Sequence, residues 1–203
     1  MNKAEIEFLT IPEQLSNLDP VTYQYFNQLL NHRTILFNSA VDENVIEYIM
    51  MPLKDFAEDD KGEPIKLVLS TVGGSVIAGL SLCNIIDTYP KKLEIYVPNF
   101  AMSMGSIIMC AGNKNPNITK FAMPSSYFLI HDGLCSAEGE SGSVRDLLGF
   151  YDTLDEEVRK YIIDNTNISE EEYNKHTRRQ WYFNAQKAKE YGLVDKIIGV
   201  DML

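Results

Sequence analysis

Ser103 sits between two methionines in AMSMGSIIMCAG (residues 101–112), ahead of a glycine and an apolar run. A hydroxyl in that place has two readings. It caps the helix that follows, satisfying an orphan backbone N–H, or it is a nucleophile aimed by a turn and fed by the helix's positive end. Acyl transfer needs three further parts: a base near neutral pH, a group that orients the base, and N–H donors for an oxyanion. His131 ends the apolar stretch YFLIHDG, and strand ends in parallel sheets are where sites form. The other histidines, His32 and His176, lie in polar surroundings of helical pattern. Gly73-Gly74 follows LVLST, where glycines permit positive φ and close approach of another chain. Each feature has an ordinary counterpart: a capping serine, a hydrogen-bonded histidine, a tight turn or phosphate loop. The dinucleotide and P-loop glycine patterns are absent, which disfavours nucleotide binding. The Gly-x-Ser-x-Gly elbow is half present, with Gly105 in place and Ala101 in the first glycine position.

The elements that position these residues alternate. NLDPVTYQYFNQLLNHR reads as a helix, with Asp19 as cap and Pro20 in the first helical position. TILFN is a short strand, and Val45, Ile46, Ile49, Leu53 and Phe56 then recur at helical spacing, with a kink expected at Pro52. IKLVLS is a buried strand, TVGGS a turn, and VIAGLSLCNIIDTY an apolar helix. LEIYV is another strand, and the Ser103 stretch leads into a helix expected to end at Gly112. KFAM and YFLI follow as strands. Such alternation predicts right-handed βαβ units and a mainly parallel sheet. The last third is helical. A long helix is expected to open on the capping pair Ser143 and Asp146, and a second opens on Ser169 with Glu172 three residues on. NAQKAKEYG makes a short helix stopped by Gly192, and LVDKII closes as a strand.

At 203 residues the chain is one ordinary domain. Its 45% apolar and 23% charged composition is that of a soluble globular protein. A net charge of −11 argues against nucleic acid and anionic membrane as partners. Cys83, Cys110 and Cys135 are an odd, widely spaced set, read as reduced thiols of an intracellular protein. The stretch MNKAEIEFLT lacks a signal-peptide core and no run reaches membrane length, so a cytoplasmic location is expected.

Taken in order, VGGSVIAG, AMSMGSIIMCAG, FAMPSSYFLIHDG and NAQKAKEYGLVDKI resemble the proteolytic subunit of the Clp protease, the ClpP family of serine peptidases. The resemblance runs from about Arg33 to Ile198. It implies an α/β ClpP/crotonase-like fold of repeated ββα/βαβ units with a protruding long helix. Within one domain of 1–203 it implies a compact head of 33–142 and 178–203, a helical handle of 143–177, and a divergent N-terminal segment of 1–32.

By the same resemblance Ser103 is the nucleophile, His131 the base, and the N–H groups of Gly74 and Met104 the oxyanion hole. Val72 stands where the family usually has proline. The third triad position falls on Gln180 in TRRQWYFNA, where the family carries aspartate, and no Asp or Glu lies between Glu172 and Glu190. A glutamine can accept a hydrogen bond from the imidazole but brings no charge. Asp132, next to His131 in an extended segment, is expected to point to the other face. The reaction so assigned asks for no metal and no cofactor. The resemblance further implies homo-oligomers of stacked heptameric rings, polypeptide substrates, and an AAA+ unfoldase partner. Against a standard Clp ATPase stand KLVLST, which lacks the usual docking tyrosine, and an N-terminal segment unlike the usual axial loop. The segment GLCSAEGESG is expected to pair as a sheet edge with an extended substrate, its Glu138 and Glu140 disfavouring acidic ones. Two other readings are a catalytically impaired scaffold subunit of the same fold and, more remote, a crotonase-like acyl-CoA enzyme.

Overall fold

The computed structural model describes residues 18–199 apart from 60, 134 and 177. Helix α1 (Pro20–His32) starts where Asp19 accepts the N–H groups of Val21 and Thr22 at 3.0 and 3.1 Å. Strand β1 (Thr34–Phe37) follows. A π-helical turn over Ile46–Met50 then runs into α2 (Met51–Glu58). The kink expected at Pro52 is therefore a change of helix type: Pro52 lies in the first turn of α2, where its missing N–H is tolerated. Val45, Ile49 and Leu53 are buried as their spacing predicts, whereas Ile46 is exposed.

Strand β2 (Ile65–Leu69), helix α3 (Val76–Thr88), strand β3 (Leu93–Val97), strand β5 (Ile118–Ala122) and strand β8 (Lys196–Ile197) build the main layer. Its order is β1-β2-β3-β5-β8, and every pair is parallel. A second sheet joins β4 (Phe100–Met102), β6 (Tyr127–Ile130) and β7 (Trp181–Asn184). Here β4 and β6 run parallel and β6 and β7 antiparallel. Between β4 and β5 lies α4, only Met104–Ile108, with turns carrying the chain to Gly112. The helix expected to reach Gly112 is thus shorter. Gly112, at φ +77°, gives its N–H to Asp87 instead.

Helix α5 (Ser141–Asn165) begins before the expected Ser143, which falls inside its first turn; the capping position is Glu140, whose side chain makes no cap bond. Of its 25 residues only Ile162 is buried, so the N-terminal half projects from the sheets. Its C-terminal half is tied down by Tyr161, which donates to Asp87 at 2.7 Å. Helix α6 (Glu170–His176) opens on Ser169, whose hydroxyl accepts the Glu172 N–H at 3.1 Å. Helix α7 (Ala185–Glu190) is capped by Asn184 and followed by Gly192 at φ +82°. Among the described residues no helix is long and apolar enough to cross a membrane.

One buried group has no counterpart in the sequence reading. Lys120 lies in the middle of β5 with its ammonium inside the protein, donating to the carbonyls of Met109 and Ala111 at 2.8 and 3.1 Å and to Asn113. It serves as a donor for carbonyls that the short α4 leaves open. Burial lowers its pKa to about 8. The same burial pushes the Cys110 thiol up to about 12, so neither Cys110 nor the still more shifted Cys83 offers a thiolate near neutral pH.

Candidate active site

Ser103 occupies the strand-to-helix turn between β4 and α4 with φ 51° and ψ −123°, a conformation that L-residues rarely adopt. Four bonds hold the turn there. The Met102 N–H goes to the Thr71 carbonyl (2.9 Å) and the Ser103 N–H to the Leu129 carbonyl (2.8 Å). The Ser106 hydroxyl donates to the Ala101 carbonyl (2.7 Å) and accepts the Leu129 N–H (3.2 Å). The Ser103 hydroxyl makes no capping bond to α4. It lies 2.8 Å from Nε2 of His131. The capping alternative therefore has no bond to rest on. With five residues in α4, it is the strained turn more than a helix dipole that aims the hydroxyl.

Ser106 is fully buried and serves both neighbours of the turn, a role the sequence reading missed. Its only signal was a small polar residue inside an apolar run. Ser106→Ala removes the donor to Ala101 and the acceptor for Leu129 while leaving both backbone groups buried. The expected cost is about 1–3 kcal/mol, checked by urea unfolding against the parent.

The glycine pair stands across from the serine. A Cβ on Gly73 would lie 2.6 Å from both the Met102 oxygen and Ser103 Cβ, and one on Gly74 would lie 2.1 Å from the Val41 oxygen. Their φ values of +94° and +151° also favour glycine. The close approach predicted for this pair is thus present. Val41 locks the turn from the far side, with Val41 N–H on the Gly73 carbonyl and Ser75 N–H on the Val41 carbonyl. Among the described residues the N–H groups of Gly74 and Met104 have no acceptor, so both remain available as donors. Met104's side chain packs against Gly79 of α3, where any Cβ would meet it at 2.3 Å.

A cleft of about 430 Å³ joins these parts. Val72, Val76, Ile107, Val158 and Ile162 form its apolar wall, and Asp132 and Asp155 lie at one side. Burial first, then the charges of Asp132 and Asp152, raises the Asp155 carboxyl above the usual range. Among the described residues no three His, Cys, Asp or Glu side chains gather where they could hold a metal ion.

The antiparallel ladder of β6 and β7 ends at the pair Ile130 and Trp181. One step further the same register sets His131 opposite Gln180, whose Nε2 lies 3.4 Å from His131 Nδ1. Gln180 is exposed, while Ser103 and His131 are half-buried. Asp132 does not reach the imidazole; its carboxylate accepts the Arg178 N–H at 2.7 Å. The structure thus brings Ser103, His131, Gln180, Gly74 and Met104 to one place. The sheet edge expected over GLCSAEGESG is not formed: described residues 133 and 135–140 hold no strand. Gly139 has φ +138°, and a lone segment without a pairing partner has no ladder to join.

The family model of the Clp protease matches residues 17–201. The chain belongs to the Clp protease family. The match begins upstream of Arg33, where the sequence resemblance starts, and so takes in α1. The mixed α/β architecture with its parallel sheet is that of the ClpP/crotonase-like fold. The family is one of ClpP-type peptidases. At the two positions where the sequence departs from the resemblance, Val72 lines the cleft beside the glycine pair and the Gln180 amide stands beside the histidine.

Proposed function

We propose that the chain is a serine-type endopeptidase that cleaves unfolded polypeptides or short peptides through an acyl-enzyme. The observation that carries this reading is the 2.8 Å contact between Ser103 Oγ and His131 Nε2 across two different elements, with the hydroxyl making no capping bond. Nε2 takes the proton as Oγ attacks the carbonyl carbon of the scissile bond. The carbonyl oxygen becomes an oxyanion held by the N–H groups of Gly74 and Met104. The imidazolium then gives its proton to the departing amine, leaving an ester on Ser103. Water, deprotonated by the same nitrogen, attacks the ester and frees the acid.

Gln180 acts on the ring rather than on the substrate. The amide nitrogen faces Nδ1 at 3.4 Å; with the amide turned over, its oxygen accepts the ring N–H and leaves His131 Nε2 as the acceptor that the reaction requires. It carries no charge to offset the imidazolium, so the unaided rate is low. That neutral residue also favours a second reading, a weakly active or scaffold subunit in a mixed ring.

The projecting half of α5 supports assembly into stacked heptameric rings, because an apolar stripe on a lone helix has nothing to bury it. Leu148 and Phe150 are 42% and 46% exposed there. In such a ring the serines face an enclosed chamber, and an AAA+ unfoldase supplies substrate. Native mass spectrometry tests the assembly: species of seven or fourteen subunits are expected, and a stable monomer at micromolar concentration contradicts it.

A further inference from the structure

We infer that Asp132 is a positioning residue: it clamps the segment carrying Gln180 against the His131 ring. The catalytic consequence of the clamp rests on the peptidase reading above; the clamp itself does not. Continuing the β6–β7 register past Ile130 and Trp181 sets His131 opposite Gln180 and Asp132 opposite Arg179. There the ladder is lost. The Arg179 N–H turns back to the His176 carbonyl at 3.1 Å. Arg178, the residue before it, lies at φ 62°, in the left-handed region disfavoured for a side chain of that size. The chain thus reverses out of α6 through a strained residue two positions before Gln180.

The Asp132 carboxylate reaches across this break. Its Oδ2 accepts the Arg178 N–H at 2.7 Å, a charge-assisted bond on a half-buried acceptor. A side chain of the strand that carries the base thereby takes over where backbone pairing stops. Two consecutive residues of one strand end share the work: His131 is the base, and Asp132 holds in place the residue that orients it. Gln180 is exposed and contacts the ring at 3.4 Å, so little else fixes its distance from Nδ1.

The experiment uses the full-length assembled protein and two readouts. Amide hydrogen exchange follows residues 178–180 in the parent, Asp132→Ala and Asp132→Asn. Peptide hydrolysis follows kcat and KM for the same variants, each also built on Gln180→Ala, with Ser103→Ala as the blank. Loss of a charge-assisted bond predicts exchange at Arg178 about tenfold faster in Asp132→Ala. It also predicts kcat down about tenfold with KM within about twofold, the mark of lost positioning rather than lost binding. Asp132→Asn keeps an acceptor oxygen and retains most of the rate. On Gln180→Ala, Asp132→Ala lowers kcat by less than about twofold further, because its route to the ring is already gone.

Unchanged exchange in Asp132→Ala overturns the clamp. Equal kcat losses in both backgrounds overturn its action through Gln180. Where Asp132→Ala does not assemble, Asp132→Asn carries the test, with exchange about threefold faster expected from a weaker neutral acceptor and unchanged exchange overturning the inference. Hydrolysis that survives Ser103→Ala instead refutes the peptidase reading, while exchange still decides the clamp.

Discussion

Ser103→Ala is expected to lower hydrolysis of short unstructured peptides by about 10⁴-fold or more. Alanine removes the atom that forms the ester, and no neighbouring group can take over: Ser106 Oγ is buried and committed to Ala101 and Leu129. The residue left behind has less bulk in a turn already fixed by backbone bonds to Thr71 and Leu129, so the fold is retained. Any remaining rate comes from binding and the two N–H donors alone. Initial rates with a chromogenic peptide, compared at equal assembly, measure the effect. A rate unchanged by the substitution contradicts Ser103 as the nucleophile.

Gln180→Asp is expected to raise kcat by about 10²-fold. A carboxylate does two things that an amide cannot. It accepts only, so it pins the proton on Nδ1 and leaves Nε2 free to receive the proton of Ser103. An amide serves either tautomer, and with its nitrogen toward Nδ1 at 3.4 Å it favours the ring form that donates to Ser103 rather than accepts from it. A carboxylate also stabilises the imidazolium in the transition state. The gain falls short of the roughly 10⁴-fold that the acid is worth in well-ordered serine peptidases, because the position is exposed and water screens the new charge. Steady-state kinetics decide the matter. A variant that assembles normally and gains nothing contradicts the account of the third position.

The parts legible in the sequence are those whose signal is local. Asp19 before Pro20 and Ser169 three residues before Glu172 both cap as read, since a cap is completed within one turn. Gly73 and Gly74 could be read because only glycine fits what surrounds them. The start of α5 reads late because Ser143 looks like a cap and Gly142 before it looks like a helix breaker, yet both lie inside the first turn. Just past the end of α4, the carbonyls of Met109 and Ala111 are met by Lys120, a donor from a strand remote in sequence. Ser106 and Asp132 likewise act on partners remote in sequence, Leu129 and Arg178, that no periodicity reveals. Gln180 is the reverse case. Its place was legible from motif order, while its consequence follows from the ladder that sets it opposite His131.

Labelling with a fluorophosphonate probe, with the adduct mapped by peptide mass spectrometry, tests the central claim most directly, since it needs no knowledge of the natural substrate. The account predicts one adduct per chain, on Ser103, absent from Ser103→Ala and faster in Gln180→Asp. Folded, assembled protein that takes no label, or takes it on another residue, contradicts it.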